Sequence, residues 1–126
     1  MFDSPEIMRM AHLLASHSAA RQAVIAANVA NADTPGYLAR DIAPFAEIYR
    51  PTETGALHAT RPGHIGSVTR ENYSEDHVRV GPDSPNGNSV TVETEMIRAA
   101  EVRHAHDLAL AVYTSAKSVL RTSLGR

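Results

Sequence analysis

A helical pattern of apolar and small side chains runs through residues 5–31. Ser4 is suited to cap the start of this helix, and Pro5 to its first helical position. Between Pro5 and Asn31 only three residues are charged, so no face of the predicted helix is clearly solvated. Positions that recur in alternating steps of four and three, typical of a packed helix, are Ile7, Ala11, Leu14, Ser18, Arg21, Ile25 and Asn28.

A second helical pattern covers residues 92–123, with Thr91 as the predicted N-cap and Gly125 just past the end. One row of positions in 4-3 spacing is Val92, Met96, Ala99, Arg103, His106, Leu110, Tyr113, Lys117, Leu120 and Leu124. An adjacent, cleaner row is Val102, Ala105, Ala109, Val112, Ala116 and Val119. Two such rows predict a helix that is contacted by more than one neighbour. Across both helices, the side chains expected to pack are Leu14, Ile25, Met96, Leu110, Tyr113 and Leu120.

Between the two helical patterns the chain is irregular. Residues 50–89, called the arm below, hold four of the seven prolines and five of the seven glycines. Asn86-Gly87 is a turn signal, and the brief apolar runs in the arm leave room for a short hairpin. The chain therefore divides into an N-terminal helix (1–34), a turn with the irregular arm (35–90) and a C-terminal helix (91–126).

This pattern predicts a mainly α fold, an elongated and coiled-coil-like pair of long N- and C-terminal helices. At 1.5 Å per residue the helices would be roughly 40 and 48 Å long. A globule of 126 residues has a radius of gyration of only about 14 Å. The helices exceed that size, and the alanine-rich composition buries little area, so we expect other copies or partners to cover them.

Composition excludes several classes of function. With a formal charge of −2, the chain has no general electrostatic attraction for nucleic acid or an anionic membrane. It has no cysteine, which excludes disulfides and Cys-ligated zinc. No apolar run approaches the ~20 residues that cross a bilayer. The acidic N-terminus, with Asp3 and Glu6, also predicts that no signal peptide is cleaved.

The chemical motifs are weak, and we expect no catalytic, cofactor-binding or metal site. His104 and His106 are two residues apart, so on a helix they point to different faces and cannot share an ion. Glu101-x-x-His104 lacks the second such motif that a di-iron bundle needs. His12 and His17 are expected to line a helix interface. A catalytic triad dispersed along the chain stays open as a remote alternative.

The most distinctive segment runs from Ala27 to Tyr37. Asn28 and Asn31 lie one helical turn apart, and amides so placed can bond across a helix interface and fix its register. Pro35 ends the helix, and Pro35-Gly36 favours a type II turn in which Gly36 needs a positive φ.

This segment resembles the Ala-Asn-(apolar)-Ala-Asn-x-x-Thr-Pro-Gly-(aromatic) signature of bacterial flagellar axial proteins, the rod and hook group. The continuation through Arg40-Asp41 and Phe45 is similar to the proximal-rod branch of the flagellar basal-body rod family. Gly87-Asn88-Ser89-Val90, followed by Glu93 and Glu95-Met96, is similar to the start of that family's C-terminal helix. The resemblance covers residues 5–49 and 86–124.

The resemblance implies a structural subunit of the rod, the drive shaft that crosses the periplasm, built by packing of the terminal helices. It implies export by the flagellar type III apparatus without a cleaved signal. The implied partners are other copies, other rod subunits, and the membrane-ring and export-gate proteins at the rod base, with no nucleic acid and no membrane insertion. The segment that would mediate assembly comprises Asn28, Asn31, Thr34, Pro35, Gly36 and Tyr37.

Two other classes remain open at this point. A small helical-hairpin adaptor or regulatory dimer would also have two adhesive helices, but it would have a discrete dimer mass. A small enzyme is the third alternative.

Overall fold

Two long helices dominate the computed structural model, which describes residues 4–49, 76–78 and 85–125. Helix α1 spans Ser4–Ala30, one residue earlier at each end than the pattern predicts. Helix α3 spans Val92–Ser123, as predicted. With 27 and 32 residues they are about 40 and 48 Å long, which confirms the mainly α, helix-pair fold.

The predicted cap residues, Thr91 and Gly125, lie at the two ends of α3. Thr91 stands at the N-cap with an extended backbone, which confirms the prediction, although its side chain makes no capping hydrogen bond. Gly125 has φ +70° just past the C-terminus, as the sequence predicts.

Helices α1 and α3 pack against each other as an antiparallel pair. The end of α1 meets the start of α3 at Asn28 and Glu95, whereas Ser18, earlier in α1, borders the same cleft as His106, later in α3. Buried side chains recur every seven residues in each helix, which is the spacing of a coiled-coil seam. They are Ala11, Ser18 and Ile25 in α1, and Glu95, Val102 and Ala109 in α3.

A small strand pair rests against α1. Strand β1 (Arg40–Ile42) pairs antiparallel with β2 (Asp76–Val78), with Arg40 opposite Val78. Ile42 is buried, and the short helix α2 (Phe45–Ile48) brings Phe45 edge-on to His17 of α1 with 5.6 Å between ring centroids. Strand β1 and Phe45 therefore both lie against α1.

The described strand pair is not the hairpin predicted within residues 50–89. The pairing joins β2, inside the arm, to β1, which precedes the arm, so these two strands do not form a tight hairpin within 50–89. The rest of the predicted arm at 50–75 and 79–84 lies outside the described residues. None of the helices within the described ranges combines the length and hydropathy that a bilayer crossing needs.

Candidate functional site

Buried polar side chains gather where the end of α1, the turn after it and the start of α3 meet. We call this group the polar junction. Such groups are costly to bury unless hydrogen bonds replace the water they lose, so their partners define the local structure. The junction consists of Asn28, Asn88, Ser89 and Glu95.

Asn28 is the centre of the polar junction and is completely inaccessible, at 0% exposure. Its amide Nδ2 donates to the backbone oxygen of Arg40 at 2.7 Å and to Oε2 of Glu95 at 2.9 Å. Its Oδ1 accepts from the backbone N–H of Arg40 at 3.0 Å and from the Tyr37 hydroxyl at 3.4 Å. One amide therefore ties α1 to both β1 and α3, which confirms the predicted bond across the helix interface.

Glu95 supplies the α3 side of this contact and is 1% exposed. Besides the bond from Asn28, its Oε1 accepts from Nη1 of Arg98, one turn later, at 3.4 Å. A buried carboxylate depends on such donors, because desolvation of its charge costs several kcal/mol. Glu95 therefore permits only an arrangement in which Asn28 faces it, and so fixes the register of the two helices.

Asn31 lies just past the end of α1. It is half-buried, and its Nδ2 donates to the backbone oxygen of Ala27 in its own helix at 2.8 Å, while its Oδ1 accepts from Thr34 Oγ1 at 3.3 Å. These are bonds within the single chain, and the part predicted for Asn31 in assembly stays a prediction. Since the last carbonyls of a helix lack intrahelical donors, a local amide here stabilises the helix end instead.

The turn after α1 has the backbone that Pro35-Gly36 favours. Gly36 has φ +72°, as predicted, and its N–H donates to the backbone oxygen of Asn86 at 3.0 Å. Pro35 and Gly36 are both exposed, and Tyr37 is half-buried with its hydroxyl directed to Asn28. The turn thus lies against the segment that precedes α3.

Asn88 closes the junction from that segment. Its Nδ2 lies 2.9, 2.7 and 2.8 Å from the backbone oxygens of Asn31, Ala32 and Thr34, and its two hydrogens are shared among these three acceptors. Its Oδ1 accepts from the backbone N–H of Val90 at 2.7 Å. Asn88 therefore provides donors to carbonyls at the end of α1 from a position 54–57 residues away along the chain.

Two more contacts bind the same segments. Ser89 Oγ accepts from the backbone N–H of Ala39 at 2.8 Å, and the Ser89 N–H donates to the oxygen of Tyr37 at 3.1 Å. Gly87 has φ +73° where the chain turns beside Gly36. The sequence resemblance includes the segment Gly87-Asn88-Ser89-Val90. No spacing rule predicts that this segment forms hydrogen bonds with the turn at 31–37.

A salt bridge fixes β1 to α1 about two helical turns before Asn28. Arg21 donates through Nε to Asp41 Oδ1 at 2.7 Å and through Nη2 to Oδ2 at 2.8 Å, a bidentate geometry. The hydrogen bond to Asp41 is the largest cause that raises the pKa of Arg21; burial opposes it, and the charges of Asp41, Glu101 and Glu95 support it. The sequence pattern places Arg21 in a packing row of α1. It does not indicate that Asp41 is the partner of Arg21.

The residues expected to pack fall into two groups. Ile25 is buried in the seam, while Leu14 and Leu120 are half-buried. Met96, Leu110 and Tyr113 are exposed in the single chain. The apolar residues of α3 that are buried in the seam are instead Val102 and Ala109, members of the adjacent row.

The histidines divide in a similar way. His17 is buried, and its Nε2 lies 2.9 Å from the backbone oxygen of Ala43, so it does line an interface. His12 is exposed in the single chain, and the interface predicted for it stays a prediction. Within the described ranges no three His, Asp or Glu side chains come together to hold a metal ion. The polar groups of the junction are directed at one another and form a structural joint.

Comparison with known proteins identifies the chain. A family model described as flagella basal body rod protein matches residues 15–37, which include the turn after α1. A flagellar basal body rod protein FlgB of Agrobacterium fabrum is 30% identical over 111 residues, covering 82% of this chain and 81% of the relative. FlgB of Salmonella typhimurium is 37% identical over 106 residues, 77% of each chain.

FlgB of Escherichia coli is 39% identical over 93 residues, 66% of this chain and 67% of the relative. These alignments extend far beyond residues 15–37, which the family model matches, and they cover most of each relative. The chain with the Asn28–Glu95 junction therefore belongs to the FlgB family of flagellar basal body rod proteins.

Proposed function

We propose that this chain is a structural subunit of the proximal flagellar rod, and that it assembles through the outer faces of α1 and α3. The family is that of a basal-body rod component, which supports both the structural role and the location. The polar junction prepares the subunit by setting the two helices in one register.

The observation that carries the proposal is the outer surface of α3. Large apolar side chains remain exposed on α3 and just past its end although α3 also packs against α1: Val92, Met96, Ile97, Leu108, Leu110, Tyr113, Val119 and Leu124. Extended apolar exposure of this kind is typical of surfaces that bind other proteins. A rod subunit that contacts neighbours around its axis needs such faces on more than one side.

The proposal also specifies the subunit's binding partners and its route of export. The subunit would contact other copies, other rod subunits, and the membrane-ring and export-gate proteins at the rod base. It would reach that place through the flagellar type III apparatus without a cleaved signal, and it would have no catalytic activity. Membership in the basal body rod family supports the contacts with other rod subunits and the non-catalytic role, while the export route and the partners at the rod base rest on the sequence resemblance.

Complementation tests the proposal. The chain would be expressed in a bacterium that lacks its own proximal rod subunit, and swimming and isolated basal bodies would be examined. Restored rods support the proposal, whereas a well-expressed chain that restores none contradicts it. A purified chain with a sharp dimer mass and no larger assemblies would favour the adaptor alternative.

A further inference from the structure

The segment that precedes α3 contains two asparagines that are each followed by a small residue, Asn86 before Gly87 and Asn88 before Ser89. Asparagine is a chemically labile residue. Its side-chain amide can be attacked by the backbone nitrogen of the next residue, and a small next residue leaves that nitrogen accessible. The sequence makes both asparagines candidates for this reaction, and the structure separates them.

Asn88 is protected from the reaction. It is 2% exposed, and its Nδ2, which would have to leave, donates to three backbone oxygens at the end of α1 and in the turn after it. The Ser89 N–H, which would have to attack, donates to the backbone oxygen of Tyr37 at 3.1 Å. Both reacting groups are therefore held in other bonds, and water is kept away from them.

Asn86 is open to the same reaction. Asn86 and Gly87 are both exposed, and among the described residues none accepts a hydrogen bond from the Gly87 N–H. Gly87 also has no Cβ that would shield its nitrogen. The backbone N–H of Asn88 donates to Oδ1 of Asn86 at 3.1 Å. This bond polarises the side-chain carbonyl and stabilises the negative charge that gathers on Oδ1 during attack.

We propose that Asn86-Gly87 is a site of spontaneous deamidation, which converts Asn86 to aspartate and isoaspartate. The Gly87 nitrogen loses its proton to solvent and forms a bond to Cγ of Asn86. The Cγ–Nδ2 bond breaks, and Nδ2 takes up a proton and leaves as ammonia. Water then opens the succinimide ring. Cleavage of its bond between Cγ and nitrogen gives aspartate, and cleavage of the original peptide bond gives isoaspartate.

The isoaspartate product changes the contact between this segment and the turn after α1. Its main chain runs through Cβ and Cγ and is longer by one carbon. Bonds on both sides hold this stretch in place, because the Gly36 N–H donates to the backbone oxygen of Asn86 at 3.0 Å and Asn88 is fixed by its three carbonyl acceptors. The longer chain cannot keep both sets of bonds. Aspartate preserves the main chain and an oxygen that accepts from the Asn88 N–H.

Incubation of the purified chain at mildly alkaline pH tests the chemistry, with peptide mass spectrometry to locate the products. In the folded chain we expect the mass gain from replacement of NH₂ by OH at Asn86 and not at Asn88. In urea both residues should react. Asn86→Gln would have to form a larger ring and should remove the reaction at this position. A folded chain that reacts at Asn86 no faster than at Asn88 would overturn the proposal.

A second measurement tests the structural consequence. The isoaspartate form of the chain would be separated by chromatography and melted beside wild type and Asn86→Asp. The isoaspartate form should melt at a lower temperature than wild type, and Asn86→Asp close to wild type. An isoaspartate form as stable as wild type would show that the joint tolerates the longer main chain. An equal loss in Asn86→Asp would assign the effect to the added charge, and either result would overturn this consequence.

Discussion

Asn28 of α1 donates a 2.9 Å hydrogen bond to Glu95 of α3, and both side chains are buried from solvent. The two residues are 67 positions apart in the chain. Their contact therefore exists only when the helices lie antiparallel in this one register. A slip of either helix would leave a buried carboxylate facing alanine or valine.

Removal of the Asn28 amide should destabilise the helix pair strongly. Asn28→Ala deprives Glu95 and both backbone groups of Arg40 of a partner, and we expect a loss of about 2–4 kcal/mol. Urea unfolding followed by circular dichroism measures it. Asn31→Ala is the control, because its half-exposed amide bonds only locally; equal losses for the two would contradict the assigned role of the junction.

Replacement of Asn88 by aspartate, which has almost the same shape, should still destabilise the chain. Asn88→Asp removes the donors to three carbonyl oxygens and places a negative charge beside them. We expect a loss of at least about 2 kcal/mol of stability, together with loss of motility. Thermal melting and swimming assays test this, with the exposed Asn86→Asp for comparison. A variant as stable as wild type would show that the carbonyls do not need Asn88.

The backbone of Gly36 permits a test without steric interference. Its φ is +72°, and an added Cβ would meet nothing within 4 Å, so only the conformational cost changes. Gly36→Val should cost about 1–2 kcal/mol and impair rod formation, while Gly36→Asn should cost less because asparagine adopts this conformation more readily. Motility of strains with matched expression is the measurement. Normal swimming by the valine variant would argue against a need for this turn.

Neighbouring residues on α3 distinguish folding from assembly. Ala109 is 1% exposed in the seam, whereas Leu110 is 48% exposed. Ala109→Asp should unfold the helix pair and lead to degradation. Leu110→Asp should remain folded and be exported, yet build no rod, because burial of an unpaired charge between subunits costs several kcal/mol.

Secreted protein, cellular protein and motility would be measured for both variants. Ser115→Asp adds the same charge at an exposed polar position and serves as the control. Normal swimming with Leu110→Asp would place that side chain in solvent within the rod. Degradation inside the cell would instead mean that Leu110 is needed for folding of the single chain.

Much of the fold follows from local sequence. The spacing of apolar positions predicts both helices to within a residue, and Pro35 and Gly36 predict the turn and its positive φ, because these depend on backbone sterics close in the chain. The resemblance of residues 27–37 to the axial signature also leads to the family before any contact is known. The hydrogen bonds of helix caps were less predictable, because Thr91 lies at the predicted N-cap of α3 but its side chain makes no capping hydrogen bond.

Only the tertiary structure decides which polar residues form hydrogen bonds and salt bridges with one another. Local pattern treats Asn28 and Asn31 alike, yet one bonds across the interface and the other bonds to its own helix, because Asn28 lies inside α1 whereas Asn31 lies just past its last residue. Asn88 and Arg21 find their partners through antiparallel packing that brings distant segments together. The same packing selects which apolar row of α3 faces α1, since a helix with two adhesive rows can bury only one of them against a single neighbour.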